Sequence, residues 1–301
     1  MRFINGLLAG VLLLGASSAQ ASLRVVTTTT DLKALVEAVG GEHVRVQSIC
    51  KANQDPHYVQ ARPSFMVTLR DADLLVHVGL DLEIGWLPLL VDGARNPNIR
   101  AGRAGSLNLG ESIKVLGVPA TTDAALGHLH PRGNPHYWLD PVRFRSLVPV
   151  VAQRLIQLMP AQTKSLQQRA DAYGAKLDKA IAAWAKRMAP LQGIKVLTYH
   201  DTFLYFLKRY GLVGAGVLEN KPGVPPSPRH LARLIQQARS EKIPLLLHES
   251  FHNRKPSGLV ADRSGAQLVV LPVSVGAEPG TQDYVRFMDR LVEHLVAKAG
   301  R

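Results

Sequence analysis

The stretch Ala161–Met188 (AQTKSLQQRADAYGAKLDKAIAAWAKRM) decides how the rest of the chain is arranged. Leu166, Ala170, Tyr173, Leu177, Ile181, Trp184 and Met188 recur in it at steps of three and four, the period of one helical face. Gly174 interrupts the run at a cost of about 1 kcal/mol without removing the period. One helix of about 28 residues is roughly 42 Å long at 1.5 Å per residue, more than a single small lobe needs. Two shorter helices split near Gly174 are the alternative, but the continuous period favours one long rigid helix bridging two lobes. A rod without a flexible hinge disfavours large clamshell closure, so ligand-linked motion is expected to be local.

On both sides of the rod, short β-branched runs alternate with amphipathic stretches. Before it, Leu23 to Thr28, Val44 to Ile49, Leu74 to Val78 and Ile113 to Leu116 read as strands, with helices over Leu32 to Val39 and Phe65 to Arg70. After it, Lys195 to Tyr199, Val213 to Leu218, Leu245 to His248 and Gln267 to Leu271 read as strands. Helices are expected near Thr202 to Arg209, Pro228 to Glu241 and Thr281 to Lys298. In the last of these Tyr284, Phe287, Met288, Leu291, Leu295 and Val296 share one face, and Gly280 and Gly300 bracket it. Alternation of this kind predicts an α/β fold, each lobe a parallel sheet covered by helices. Pro222 to Pro228 reads as a stiff connector in which Ser227 caps a helix that has Pro228 at its first position.

The start of the chain bears on where it works. Arg2, the apolar stretch Gly6 to Ala16 and the small-x-small run Ala19-Gln20-Ala21 read as a secretory signal peptide. About 11 apolar residues are too few for a membrane span of roughly 20. The predicted organisation is a leader over 1–21, an N-terminal lobe over 22–145, connecting helices including the rod over 146–189, and a C-terminal lobe over 190–301. A mature chain of about 280 residues exceeds the usual single-core size, which also favours two domains. The sole cysteine, Cys50, lies far beyond the leader in a strand-like run, so neither an internal disulfide nor a lipid anchor is expected. The sequence therefore reads as a periplasmic, unanchored protein, and a monomer is expected. Its formal net charge of +13 raises nucleic acid as a partner. The basic residues are scattered, without aromatic interleaving, so nucleic-acid binding is not expected.

Three histidines occupy matching contexts: Asp55-Pro56-His57, Asn134-Pro135-His136 and Tyr199-His200-Asp201 at the end of an apolar strand. Neutral imidazole is the commonest protein ligand for divalent transition metals, and imidazoles held on rigid turns and strand ends suit a pre-formed site. Pro56 and Pro135 restrict their own φ and the residue before them, limiting the entropy lost on binding. Ligands of parallel α/β sheets bind beyond the carboxyl ends of strands, where histidines from both halves can meet. Asp55, Asp140 and Asp201 lie close by as acceptors for the ring N–H groups. His77, within an apolar strand, reads as a packed core histidine, whereas His43, His230 and His294 read as exposed.

These motifs carry a resemblance. Asp55-Pro56-His57 with Pro63-Ser64, Ala72-Asp73-Leu74-Leu75-Val76, Gly79-Leu80-Asp81-Leu82-Glu83, Asn134 to Pro141, His200 to Phe206 and Arg209-Tyr210-Gly211-Leu212 follow one another in order. The chain resembles the zinc and manganese solute-binding proteins of ABC importers, of the cluster A-I type, from about Leu23 to Leu295. The resemblance implies two α/β lobes bridged by a long helix, a metal between them, delivery to a membrane permease, and His57, His136 and His200 at three ligand positions. Where that family commonly has an aspartate after the last strand, this chain has Leu271-Pro272-Val273-Ser274-Val275-Gly276. Glu249, at the end of a predicted strand, is the replacement expected as fourth ligand, with His248, His252 or water as alternatives. Three imidazoles plus a carboxylate or water suit Zn2+ better than Mn2+, which prefers oxygen donors. His128-Leu129-His130 stands where zinc members carry a longer histidine-rich loop, and reads either as a solvated loop or as an auxiliary capture element.

Rival classes are weaker. A metallohydrolase could use an open three-histidine site with Glu249 as base, but no His-Glu-x-x-His helix, phosphate loop or nucleophile arrangement is present. A surface adhesin would call for an anchor that the sequence lacks. The protein is not expected to be an enzyme.

Overall fold

The computed structural model describes residues 22–119, 130–219, 221 and 223–299. The expected leader over 1–21 and His128 lie outside the described residues. Both predicted sheets form, and both are parallel. In the first, β1 (Leu23–Thr27), β2 (Val44–Ser48), β3 (Leu74–His77) and β4 (Ser106–Asn108) lie in the order β2-β1-β3-β4. Val25 pairs with both Val46 and Leu74. Helices α1 (Thr30–Gly40), α2 (Pro63–Arg70) and α3 (Leu87–Ala94) cover it. The second sheet repeats the plan as β6-β5-β7-β8, from β5 (Lys195–Thr198), β6 (Val213–Val217), β7 (Leu245–Glu249) and β8 (Gln267–Leu271). Its helices are α6 (Leu204–Tyr210), α7 (Pro228–Ser240), α8 (Lys255–Ser264) and α9 (Tyr284–Ala299).

Two antiparallel-connected helices, α4 (Pro141–Leu158) and α5 (Thr163–Met188), stand between the sheets. At 26 residues α5 is unbroken and about 39 Å long. Gly174 is where α4 crosses it closely: a Cβ there would lie 2.8 Å from the Arg145 guanidinium, whose Nε donates to the Gly174 carbonyl. α4 runs through Pro149, which cannot donate its ladder hydrogen bond and costs about 3 kcal/mol. Phe144, Leu147, Val148, Val151 and Leu155 outweigh that, each contributing about 1.5–3 kcal/mol by full burial. Helix starts follow the local code: Asp140 accepts from Val142 N with Pro141 behind it, and Ser227 accepts from His230 N ahead of α7.

The largest core is common to both halves. It runs from Val25, Leu35 and Val76 through Leu147, Leu166, Leu177 and Trp184 to Leu247, Leu271 and Leu291. Smaller clusters fill the far faces of each sheet, around Leu69 and Trp86 in one and around Leu197 and Leu234 in the other.

One strand expectation fails. Ile113 to Leu116 is not in a sheet, and β4 is the short edge strand Ser106–Asn108, paired to β3. Backbone groups of the misread segment find other partners: Leu116 N donates to the Tyr205 hydroxyl, and its carbonyl accepts from Asn134 N. His230 is buried rather than exposed, its Nε2 bonded to the Val217 carbonyl at 2.9 Å and its Nδ1 to Arg233. His43 and His294 are half-buried, against Ser165 and Glu278. His77 ends β3 half-buried and lines a cavity of about 530 Å³ in the first lobe. Burial pushes its imidazole down to about 4, so it is neutral there.

Candidate metal centre

His57 follows β2, His136 precedes α4 and His200 follows β5, so three remote parts of the chain reach one crevice beside the strand ends. One ring nitrogen from each lies within 4.8 Å of the others. Ring centroids are 5.1 Å apart for His57 and His136, 5.4 Å for His57 and His200, and 5.5 Å for His136 and His200. A point central to atoms so spaced is within about 2.8 Å of each, and shifts of under about 1 Å per ring reach the 2.0–2.1 Å of zinc–imidazole bonds.

The sequence fixes the direction each ring faces. Asp55 Oδ1 accepts from His57 N at 3.0 Å and lies 2.6 Å from His57 Nδ1. Asn134 repeats the device two residues before His136, at 2.9 Å from its N and 3.0 Å from its Nδ1. In each case an Asx turn across a proline clamps the backbone and ring together. The acceptor holds the proton on Nδ1 and leaves the Nε2 lone pair free. Asn134 is itself oriented, donating from Nδ2 to the Asp201 carbonyl and carboxylate. His200 uses a different partner: its Nδ1 lies 2.7 Å from Glu219 Oε2, whose other oxygen accepts from Gly223 N.

Glu219 was not legible in the sequence as part of the site. It ends up beside His200 because β5 and β6 are parallel neighbours, and Glu219 N donates to the Tyr199 carbonyl at 2.8 Å. The signal lay in two consecutive strands each finishing on a polar group. Of the expected acceptors, only Asp55 touches a ring of the cluster. Asp140 instead caps α4 and is paired with Arg143 and Arg209, while Asp201 holds Asn134.

Burial sets the charge states. It drives the His136 imidazole well below its ordinary range, helped by the neighbouring rings. At His200 burial opposes protonation, but Glu219, Glu249 and Asp55 outweigh it and the net direction is upward. Glu249 is fully buried at the end of β7, with neither oxygen in a hydrogen bond of ordinary geometry, although Thr202 and His200 lie near enough to favour its charge partly. Burial pushes it up to about 7. Its carboxylate is not within the group that the three imidazoles form. His248 has both nitrogens engaged, with Ser257 Oγ and the His252 carbonyl, and the His252 ring packs at a tilt against Tyr199, centroids 4.7 Å apart. Trp138 lies 5.3 Å from the His136 ring and donates its indole N–H to the Val273 carbonyl, tying the centre to the loop after β8.

A fourth imidazole is present. His130 Nε2 lies 3.0 Å from His57 Nε2, with ring centroids 5.0 Å apart, and burial pushes the ring down to about 3.

Known proteins share this architecture. The family model described as zinc-uptake complex component A, periplasmic, matches residues 25–298. The manganese ABC transporter substrate-binding lipoprotein of Streptococcus pneumoniae is 27% identical over 257 residues, covering 83% of this chain and 80% of that protein. The zinc-binding lipoprotein AdcA of the same species is 25% identical over 285 residues, 92% of this chain but only 56% of that longer protein. A crystal structure of ZnuA superposes with a TM-score of 0.76 at 21% identity, covering 92% of this chain and 99% of the other, which is a likeness of fold.

Proposed function

The chain belongs to the periplasmic zinc-uptake complex component A family, and from that premise we propose that it captures zinc in the extracytoplasmic space at His57, His136 and His200 and hands it to a membrane permease. At the coarser level it is a metal-binding substrate receptor of an ABC importer. The reading rests above all on one observation: three imidazoles from distant segments share a crevice with their Nδ1 positions occupied, so their free lone pairs serve one cation.

Capture needs no chemistry beyond displacement of water and protons from the ligands. Nitrogen donors favour zinc over manganese, whose preference is for oxygen. Asp55 and Glu219 fix the orientation of the rings they hold and place negative charge behind the cation. Acid favours release, because protons compete with the metal for the imidazoles and Glu219 favours the protonated form of His200. Cys50 is buried in the core of the first lobe, where an acyl chain has no room.

Chelator-stripped protein titrated with Zn2+ tests the reading. A ligand bound by the folded state alone, at about 1,000 times its Kd, adds about 4 kcal/mol to stability, so the melting temperature should rise clearly. Absence of any shift overturns the reading.

A further inference from the structure

We propose that His130 is the fourth ligand of the centre, completing a four-imidazole shell that sets its preference for zinc; this rests on the receptor reading above and deepens it. Two nitrogens bound to one tetrahedral zinc with bonds of about 2.0–2.1 Å lie roughly 3.3–3.4 Å apart. The Nε2 atoms of His57 and His130 are 3.0 Å apart, close to that spacing. The His130 ring is also 6.1 Å from His136, edge-on, so it stands at the rim of the same cluster.

Its position is built into the backbone. Gly133 N donates to the His130 carbonyl at 3.0 Å, closing a turn directly ahead of Asn134. Gly133 has φ of 107°, and a Cβ there would lie 2.2 Å from Val115 Cγ1 and 3.0 Å from the Leu116 carbonyl. Only glycine makes this turn without displacing the segment. The turn that aims His136 therefore also brings His130 back over the crevice. His130 Nδ1 is buried with no hydrogen bond of ordinary geometry. Because Asp55 holds the His57 proton on Nδ1, His57 Nε2 accepts from His130 Nε2 in the metal-free protein, and a cation bound between the two nitrogens takes the place of that proton.

His130 suits the fourth position better than Glu249. Neither Glu249 nor His130 places a ligand atom inside the three-imidazole group, but His130 Nε2 already lies 3.0 Å from one of its members, His57 Nε2. A shell of four nitrogens also separates zinc from manganese more sharply than three nitrogens and a carboxylate.

The test is competition titration of mature protein with Zn2+ and Mn2+, together with the visible spectrum of the Co2+ form, for wild type, His57→Ala, His130→Ala and His130→Cys. His130→Ala should keep the melting temperature of the stripped protein and weaken zinc by at least about 100-fold, since even outer partners of metal ligands are worth about 10–100-fold. Manganese affinity should change far less, and the intense bands of four-coordinate cobalt should weaken. His130→Cys should introduce a sulfur-to-cobalt charge-transfer band. Wild type should show none, because Cys50 is buried with its thiol pushed up to about 12. Unchanged zinc affinity and cobalt spectrum in His130→Ala, with no new band in His130→Cys, overturn the inference while a weakened His57→Ala leaves the receptor reading intact. If His57→Ala is also unchanged, both fall.

Discussion

At the scale of single residues, the rings of the proposed centre are oriented by Asp55, Asn134 and Glu219, each bonded to an Nδ1. Glu219→Ala removes the acceptor that holds the proton of His200 on Nδ1. Zinc affinity should fall about 10–100-fold with the fold retained, read by chelator competition; an unchanged affinity would show that His200 needs no such partner. Asp31, fully buried, ties the halves together by accepting from Val275 N, and burial pushes its carboxyl up to about 7 from an ordinary 3.8. A raised folded value means the stability it contributes is fully present below about pH 4 and lost as pH climbs through 7. Between pH 5 and pH 8 that loss is about 2–3 kcal/mol. In Asp31→Asn, denaturant unfolding at the two pH values should differ by that much less than in wild type. The three-histidine cluster was legible because Asp-Pro-His and Asn-Pro-His carry their own clamp within three residues. Glu219 was not, since it reaches His200 through chain remote in sequence, and His130 was visible only within a short segment that read as a solvated loop or an auxiliary capture element.

At the scale of elements, long periodic segments announced themselves and short edge segments did not. α5 was evident from seven apolar positions on one face, and its observed span, Thr163–Met188, departs from the expected one only by a short turn at its start. β4 was illegible because Ser-Leu-Asn has no apolar alternation, and its strand state comes from pairing to β3. α4 carries an interior proline that argues against a helix on local grounds, and tertiary burial prevails there. The rod is the element that makes the two lobes one body. Leu177, fully buried at its middle, contacts the shared core, so Leu177→Ala should cost about 2–5 kcal/mol. Fluorescence and far-ultraviolet circular dichroism should report one coincident transition. Two separated transitions would show that the lobes fold independently.

At the scale of the whole molecule, the sequence suggested two lobes from the long helical period, the strand pattern recurring on both sides of it and the length, and the structure has two sheets of matching strand order sharing one principal core with α4 and α5 inside it. Trp138 to Val273, Asn53 to Ala277 and Asp31 to Val275 add hydrogen bonds across the junction. Such a frame holds the imidazoles on opposite walls of a crevice whose width is set by packing rather than by a hinge, so binding calls for small ring movements. The most direct measurement is an anomalous difference map, at the zinc absorption edge, from crystals of protein loaded with one equivalent of Zn2+. A single peak about 2.0–2.1 Å from the Nε2 atoms of His57, His136 and His200 is the expected result. A peak elsewhere, or one bonded to fewer than two of those rings, would contradict the account.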